Sequence, residues 1–146
     1  MSRPPFGTDN HIRVLPKRES WAMIDQWLVD QSSAHHLPEP CAYALRLALE
    51  ELFLNTVSYG CCNNVGTFID LFFQIEDGHA LIVIEDDAHP FNPLTAPVPC
   101  PEDPPKEREG GLGLLLARKM LTALDYVPLA KGNRLIIKKQ LGQTPS

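Results

Sequence analysis

No CxxC pair occurs among the four cysteines of this 146-residue chain, Cys41, Cys61, Cys62 and Cys100. Adjacent cysteines such as Cys61 and Cys62 cannot readily bridge each other, so neither a disulfide framework nor a zinc site is indicated. A reduced, cytoplasmic setting is the expectation. Long apolar runs are missing too: "ALIVI" (80–84) and "LLLA" (114–117) fall far short of a membrane span, and no membrane association is expected. The opening "MSRPPFGTDNHIRVLP" holds no hydrophobic region of signal-peptide type. Nor is there a basic stripe. The 13 Lys and Arg are scattered against 18 Asp and Glu, for a formal net charge of −5, which disfavours a direct nucleic-acid partner. With no internal repeat and no linker-like boundary, the expectation is a single domain over 1–146 with its core at about 11–140, long enough to bury a real interior.

What is present is a sequence of alternating periods. "HIRVLP" (11–16) is a short β-like run closed by proline, and "KRESWAMIDQWLVDQSSAHH" (17–36) has apolar residues at 21, 24, 27 and 28, a helical period. "LPEP" (37–40) breaks the chain and puts Pro40 in the first turn of a second helix, expected over about 39–59. Its inward residues would be Tyr43 or Leu45, then Leu49, Leu52, Thr56 and Tyr59, with Gly60 as C-cap. "GTFIDLFFQIE" (66–76) and "ALIVIED" (80–86) read as strands, and the Asp-Gly between them signals a hairpin. Residues 88–110 hold seven of the 14 prolines and almost no periodicity, which suggests a lid. A helix over "LGLLLARKMLTAL" (112–124) follows, then "DYVPLA" and "RLIIKKQ", joined by the turn "KGN". This order predicts an α+β two-layer sandwich: a mixed, mostly antiparallel sheet with helices on one face.

Three stretches carry chemistry. In "LALEELFLN" (47–55), Glu51 and Asn55 stand at i and i+4 and so share one helix face. Asn is a poor helix-interior residue, but its amide oxygen can ligate Mg²⁺, and a carboxylate one turn earlier can orient or deprotonate a hydroxyl. In "IEDDAHPFNPL" (84–94), acids end a buried β run. An ionised Asp only accepts hydrogen bonds, so it can receive the exocyclic amino group of adenine and discriminates against the O6 of guanine. In "GGLGL" (110–114), glycines open a helix whose free N–H groups suit phosphate. The spacing is not that of a P-loop. Each stretch alone has a plain alternative: a solvated helix face, a turn, a flexible connection.

Together, in this order, they resemble the GHKL ATPase superfamily with its Bergerat ATP-binding fold. Within it the chain looks like the anti-sigma-factor serine/threonine kinases, over about residues 11–140. The resemblance implies Asn55 as the Mg²⁺-binding and nucleotide-binding Asn, Glu51 as catalytic base, and Asp86 as the adenine-binding Asp. It implies Gly111 and Gly113 over the phosphates, Ala88 in the first glycine box, and a lid over about 88–110. Arg108, at the lid's end, is the basic residue singled out for phosphate. Departures are Ala88 and Pro90 where the general pattern has Gly, and Tyr59 where a basic residue or His often follows.

What the resemblance further implies is an ATP- and Mg²⁺-dependent kinase that phosphorylates a serine on a STAS-type anti-anti-sigma partner, sequesters a sigma factor and forms a homodimer. The alternative is a nucleotide-binding partner-switch module with little or no kinase activity. The catalytic module of a two-component histidine kinase is a third reading, disfavoured because 146 residues leave no room for a phosphoacceptor hairpin. Asp87 is expected to face away from the site, and Glu50 to sit at the surface, where it can pair with Arg46. Trp21 and Trp27 read as core or interface aromatics, and His35 and His36 as helix-end residues.

Overall fold

The computed structural model describes residues 10–57, 68–88, 92 and 110–142, the last from residue 115 onward as regards side chains. The elements are β1 (His11–Val14), α1 (Trp21–Ala34), α2 (Glu39–Asn55), β2 (Ile69–Glu76), β3 (His79–Asp86), α3 (Gly110–Met120), β4 (Ala123–Leu129) and β5 (Gly132–Gln140). The sheet runs β1-β2-β3-β5-β4, and all four pairings are antiparallel.

Alternation decides which face is covered. Ile69, Leu71 and Phe73 of β2, Ile82 and Ile84 of β3, and Leu135 and Ile137 of β5 are buried, while their neighbours are not. A strand's side chains alternate with period two, so these residues form one inner face. The helices supply the other layer, through Ile24 and Leu28 of α1 and Leu45, Leu49, Leu52 and Phe53 of α2. The outer face carries cross-strand ion pairs instead, Arg13 with Asp70 (2.9 Å) and Arg134 with Glu85 (2.6 Å). The two-layer α+β sandwich expected from the pattern is thus observed.

Several boundaries move for identifiable reasons. The first helix begins at Trp21 rather than at 17, because Arg18–Ser20 form a 3₁₀ turn whose Ser20 hydroxyl donates to the Leu15 carbonyl (2.7 Å). It ends at His35 and His36: His36 takes φ 53°, and the His36 and Leu37 amides donate back to Ser33 and Ser32, a Schellman closure with histidine where glycine is usual. In α2, Leu45 is fully buried and Tyr43 is 58 % exposed, which resolves the choice between them. The α-helix stops at Asn55 and widens into a π turn at Thr56 and Val57; Tyr59 and the expected Gly60 cap lie outside the described residues. Arg46 does not reach for Glu50 on its own helix. Its guanidinium grips Asp25 of α1 with two bonds (2.7 and 3.1 Å), a planar fork matching a carboxylate better than an i+4 pair can.

The β2–β3 turn is the two residues Asp77 and Gly78, both at positive φ (52° and 73°), as the Asp-Gly signal requires. α3 spans 110–120 rather than 112–124, because the Thr122 amide donates to the Lys138 carbonyl (2.8 Å) and commits the chain to β4. β5 starts at Gly132, two residues before the expected strand. That small shift brings Asn133 into the sheet, beside Asp86.

Candidate functional site

Asp86 is the last residue of β3 and lies in register with Ile69 and Asn133 on the helix-facing side of the sheet. Its Oδ1 accepts two hydrogen bonds, from the Ala88 amide (3.0 Å) and from Nδ2 of the buried Asn133 (2.9 Å). The first is a local turn that an Asp readily makes with the amide two residues on. The Asn133 Oδ1 in turn accepts from the Tyr126 hydroxyl of β4 (2.6 Å). Burial pushes the Asp86 carboxyl above its ordinary value, the two donors oppose that, and neighbouring Asp87 adds to the rise. Ala88 is buried, and it is its backbone that engages the carboxylate.

Gly132 makes this junction possible. Its φ is +127°, and a Cβ there would stand 1.9 Å from the Asp86 carbonyl oxygen, so only glycine lets β5 start against the end of β3. Gly132→Ala is therefore expected to cost at least about 1–3 kcal/mol of stability, the scale of the backbone strain alone, with the clash against the Asp86 carbonyl adding to it. Thermal melting checks this: Tm should fall clearly, whereas Gly142→Ala, where a Cβ meets open space, should leave it near wild type.

Glu51 and Asn55 sit in the last turn and a half of α2, Asn55 buried and Glu51 half-buried. α2 starts by the end of β5, where Pro38, Pro40 and Cys41 share a recess with Lys139 and Gln140. It packs along β5, and its 17 residues rise about 25 Å, roughly the length of that strand. Its final turn therefore comes to the end of the sheet where β5 begins and β3 stops. α3 packs on α2 and finishes beside Lys139, whose Nζ donates to the Met120 carbonyl (2.6 Å). Its first turn, with Gly111 and Gly113, accordingly points back to the same end. Asp86, the Glu51–Asn55 pair and the glycine-bearing helix start thus come to the same end of the sheet from elements far apart in sequence. A π turn follows Asn55 directly, a backbone irregularity common at functional sites.

Burial, and secondarily the neighbouring Glu50, raises the Glu51 carboxyl. A carboxyl raised in the folded state penalises folding once the unfolded chain ionises, above the ordinary value of 4.5, and costs nothing below it. Glu51→Gln should therefore have a higher Tm than wild type at pH 7, with the difference closing as pH falls below about 4.5. Melting curves at pH 4 and pH 7 test the sign.

Other recesses do not compete for this role. A groove of about 530 Å³ between α1 and α2, lined by Leu28, Val29, Tyr43 and Arg46, touches none of these groups. A recess of about 230 Å³ does include Asp86, but the carboxylates of Asp70, Glu85, Asp86 and Asp87 outnumber the basic Arg13 and Lys131 that also line it, so its wall stays net acidic and disfavours an anionic nucleotide. Asp87 is exposed at this recess, consistent with its expected turn away from the helix side. Of the remaining expectations, Trp27 is buried and meets Phe73 edge-on, and Trp21 packs beside Phe53, both as core aromatics. Arg108, Pro90 and the expected lid, apart from Ala88, Asn92 and Gly110, lie outside the described residues.

A family model described as a histidine kinase-like ATPase domain matches residues 16–139. The chain belongs to that family. The GHKL resemblance drawn from the motifs holds at this level, and no curated protein matches the chain. A histidine kinase-like ATPase domain implies ATP binding, usually with Mg²⁺. Asn55 is the residue that would meet Mg²⁺. A lone Asn55 amide oxygen suits an ion that keeps most of its shell as water and phosphate oxygens. Bound there, the ion would neutralise phosphate charge.

Asn133, Tyr126 and Gly132 were not among the residues the sequence singled out. The alternation Asn133, Leu135, Ile137 held the signal, since it puts a polar residue on the inner face at a strand start; "KGN" read only as a turn hides it.

Proposed function

We propose that this ATPase domain is a cytoplasmic serine/threonine protein kinase and anti-sigma factor, acting on a STAS-type anti-anti-sigma partner as a homodimer and sequestering a sigma factor. The observation that carries the kinase reading is Glu51: a half-buried carboxyl, raised by its surroundings, one helical turn before the buried Asn55 on the same face. A raised carboxyl lies closer to neutral pH, where a general base works best. In this reading Glu51 takes the proton of the substrate serine. The serine oxygen attacks the γ-phosphorus in line, the bond to the β–γ bridging oxygen breaks, and ADP leaves with that electron pair. Asp86 receives the adenine amino group, and the first turn of α3 offers amides to the phosphates.

The altered first glycine box, Ala88 and Pro90, is the feature that favours a switch module without kinase activity, and of the two only Ala88 lies among the described residues. Ala88 keeps its amide on Asp86, so its methyl does not disrupt the adenine side. The partner, the sigma factor and the homodimer rest on the resemblance to anti-sigma kinases. The test is incubation with γ-labelled ATP and a STAS-domain protein. Label on a partner serine supports the kinase; intact ATP binding with no transfer to any STAS partner leaves the binding module.

A further inference from the structure

The hydrogen bonds around Asp86 form a directed relay. Tyr126 donates to Asn133 Oδ1 (2.6 Å), Asn133 Nδ2 donates to Asp86 Oδ1 (2.9 Å), and the Ala88 amide donates to that same oxygen (3.0 Å). An amide side chain has an accepting and a donating end, and the two are nearly equal in shape. Which end faces Asp86 is therefore a matter of partners. Ionised Asp86 only accepts, so it takes the NH₂ end, and the Tyr126 hydroxyl then donates to the oxygen left on the β4 side and anchors the side chain from there. Both bonds land on Oδ1, and among the described residues none reaches Oδ2.

We propose that Tyr126 is a positioning residue for base selection: by fixing the Asn133 amide it orients Asp86 so that Oδ2 stays free to accept the adenine amino group. The inference rests on the reading of Asp86 as the adenine contact and adds how that contact is aimed. Without the Tyr126 hydroxyl, the buried Asn133 oxygen loses this donor and the side chain loses one of the anchors that fix its position. Its NH₂ then shifts against Asp86 Oδ1, and the carboxylate turns with it, taking Oδ2 out of line. Selection would thus depend on a residue two strands away in the sheet order β3-β5-β4.

The experiment compares two nucleotides that differ only at the selected group: ATP and purine riboside triphosphate, which lacks the 6-amino group. Titration calorimetry is run on wild type, Tyr126→Phe, Asn133→Asp and Asp86→Asn. Tyr126→Phe should weaken ATP about three- to tenfold, the scale of one hydrogen bond, and leave purine riboside triphosphate within about twofold. Asn133→Asp keeps the shape but replaces the donating NH₂ with oxygen, and should lose discrimination at least as strongly. It reads the same relay should Tyr126→Phe fold poorly. Equal weakening of both nucleotides by the Tyr126 and Asn133 variants would mean a packing role and overturn the proposal. So would unchanged discrimination in both variants alongside its loss in Asp86→Asn, with the adenine reading intact. If wild type itself binds the two nucleotides alike, the adenine reading fails and the proposal with it.

Discussion

Glu51→Gln is expected to lower phosphotransfer to a protein serine by about 10²–10⁴-fold, the usual contribution of a general base. Gln matches Glu in size and in helix propensity, so α2 and its packing on β5 and α3 should persist. What disappears is the capacity to take a proton. ATP affinity should barely change, because the reading assigns Glu51 to the incoming hydroxyl and not to the nucleotide. The higher Tm expected at pH 7 sharpens the case, since loss of rate in a more stable protein cannot be ascribed to unfolding. Single-turnover transfer measured beside equilibrium ATP binding checks the claim. A Glu51→Gln protein that transfers phosphate at the wild-type rate would remove Glu51 from the chemistry.

Asp86→Asn is expected to weaken ATP binding about tenfold to a hundredfold, corresponding to about 1.5–3 kcal/mol for a hydrogen bond to a charged group. The structure supplies the reason. The donors on Asn133 and Ala88 both point at the Oδ1 position, so a substituted amide will set its oxygen there. Its NH₂ then occupies the Oδ2 position and meets the adenine amino group, donor against donor. The same NH₂ is a suitable partner for the guanine O6, so GTP should lose far less than ATP. Titration of both nucleotides against both proteins decides it. Equal losses for ATP and GTP would mean that the substitution acts through folding and not through base recognition.

Local signals in the sequence carried much of this. The Asp77–Gly78 turn was legible because its two positive φ angles demand those residue types. Glu51 and Asn55 were legible because i and i+4 share a face in any α-helix, and the inward turn of Asp86 because strand alternation is local. What was hidden depends on pairing between distant segments. Asn133 acquires its role only from β3–β5 register, 47 residues from Asp86, and Tyr126 only from the β4–β5 hairpin. Arg46 illustrates the same rule: an i+4 partner was visible in sequence, but a better-aligned carboxylate 21 residues away took it. The α3 boundary moved likewise, since a 3.6-residue period continues to Leu124 while the Thr122 amide pairs with β5. Gly132 joins these, a turn glycine in sequence and a contact with the Asp86 carbonyl in the fold.

The central claim is that the end of the sheet where Asp86, the α2 terminus and the start of α3 converge binds ATP and selects its base. The most direct measurement is isothermal titration of the wild-type protein with Mg·ATP and, separately, Mg·GTP. A single ATP site per chain, with GTP binding at least about tenfold weaker, is the predicted result, that ratio being worth about 1.4 kcal/mol. Equal affinity for the two nucleotides, or no binding of ATP, would contradict it.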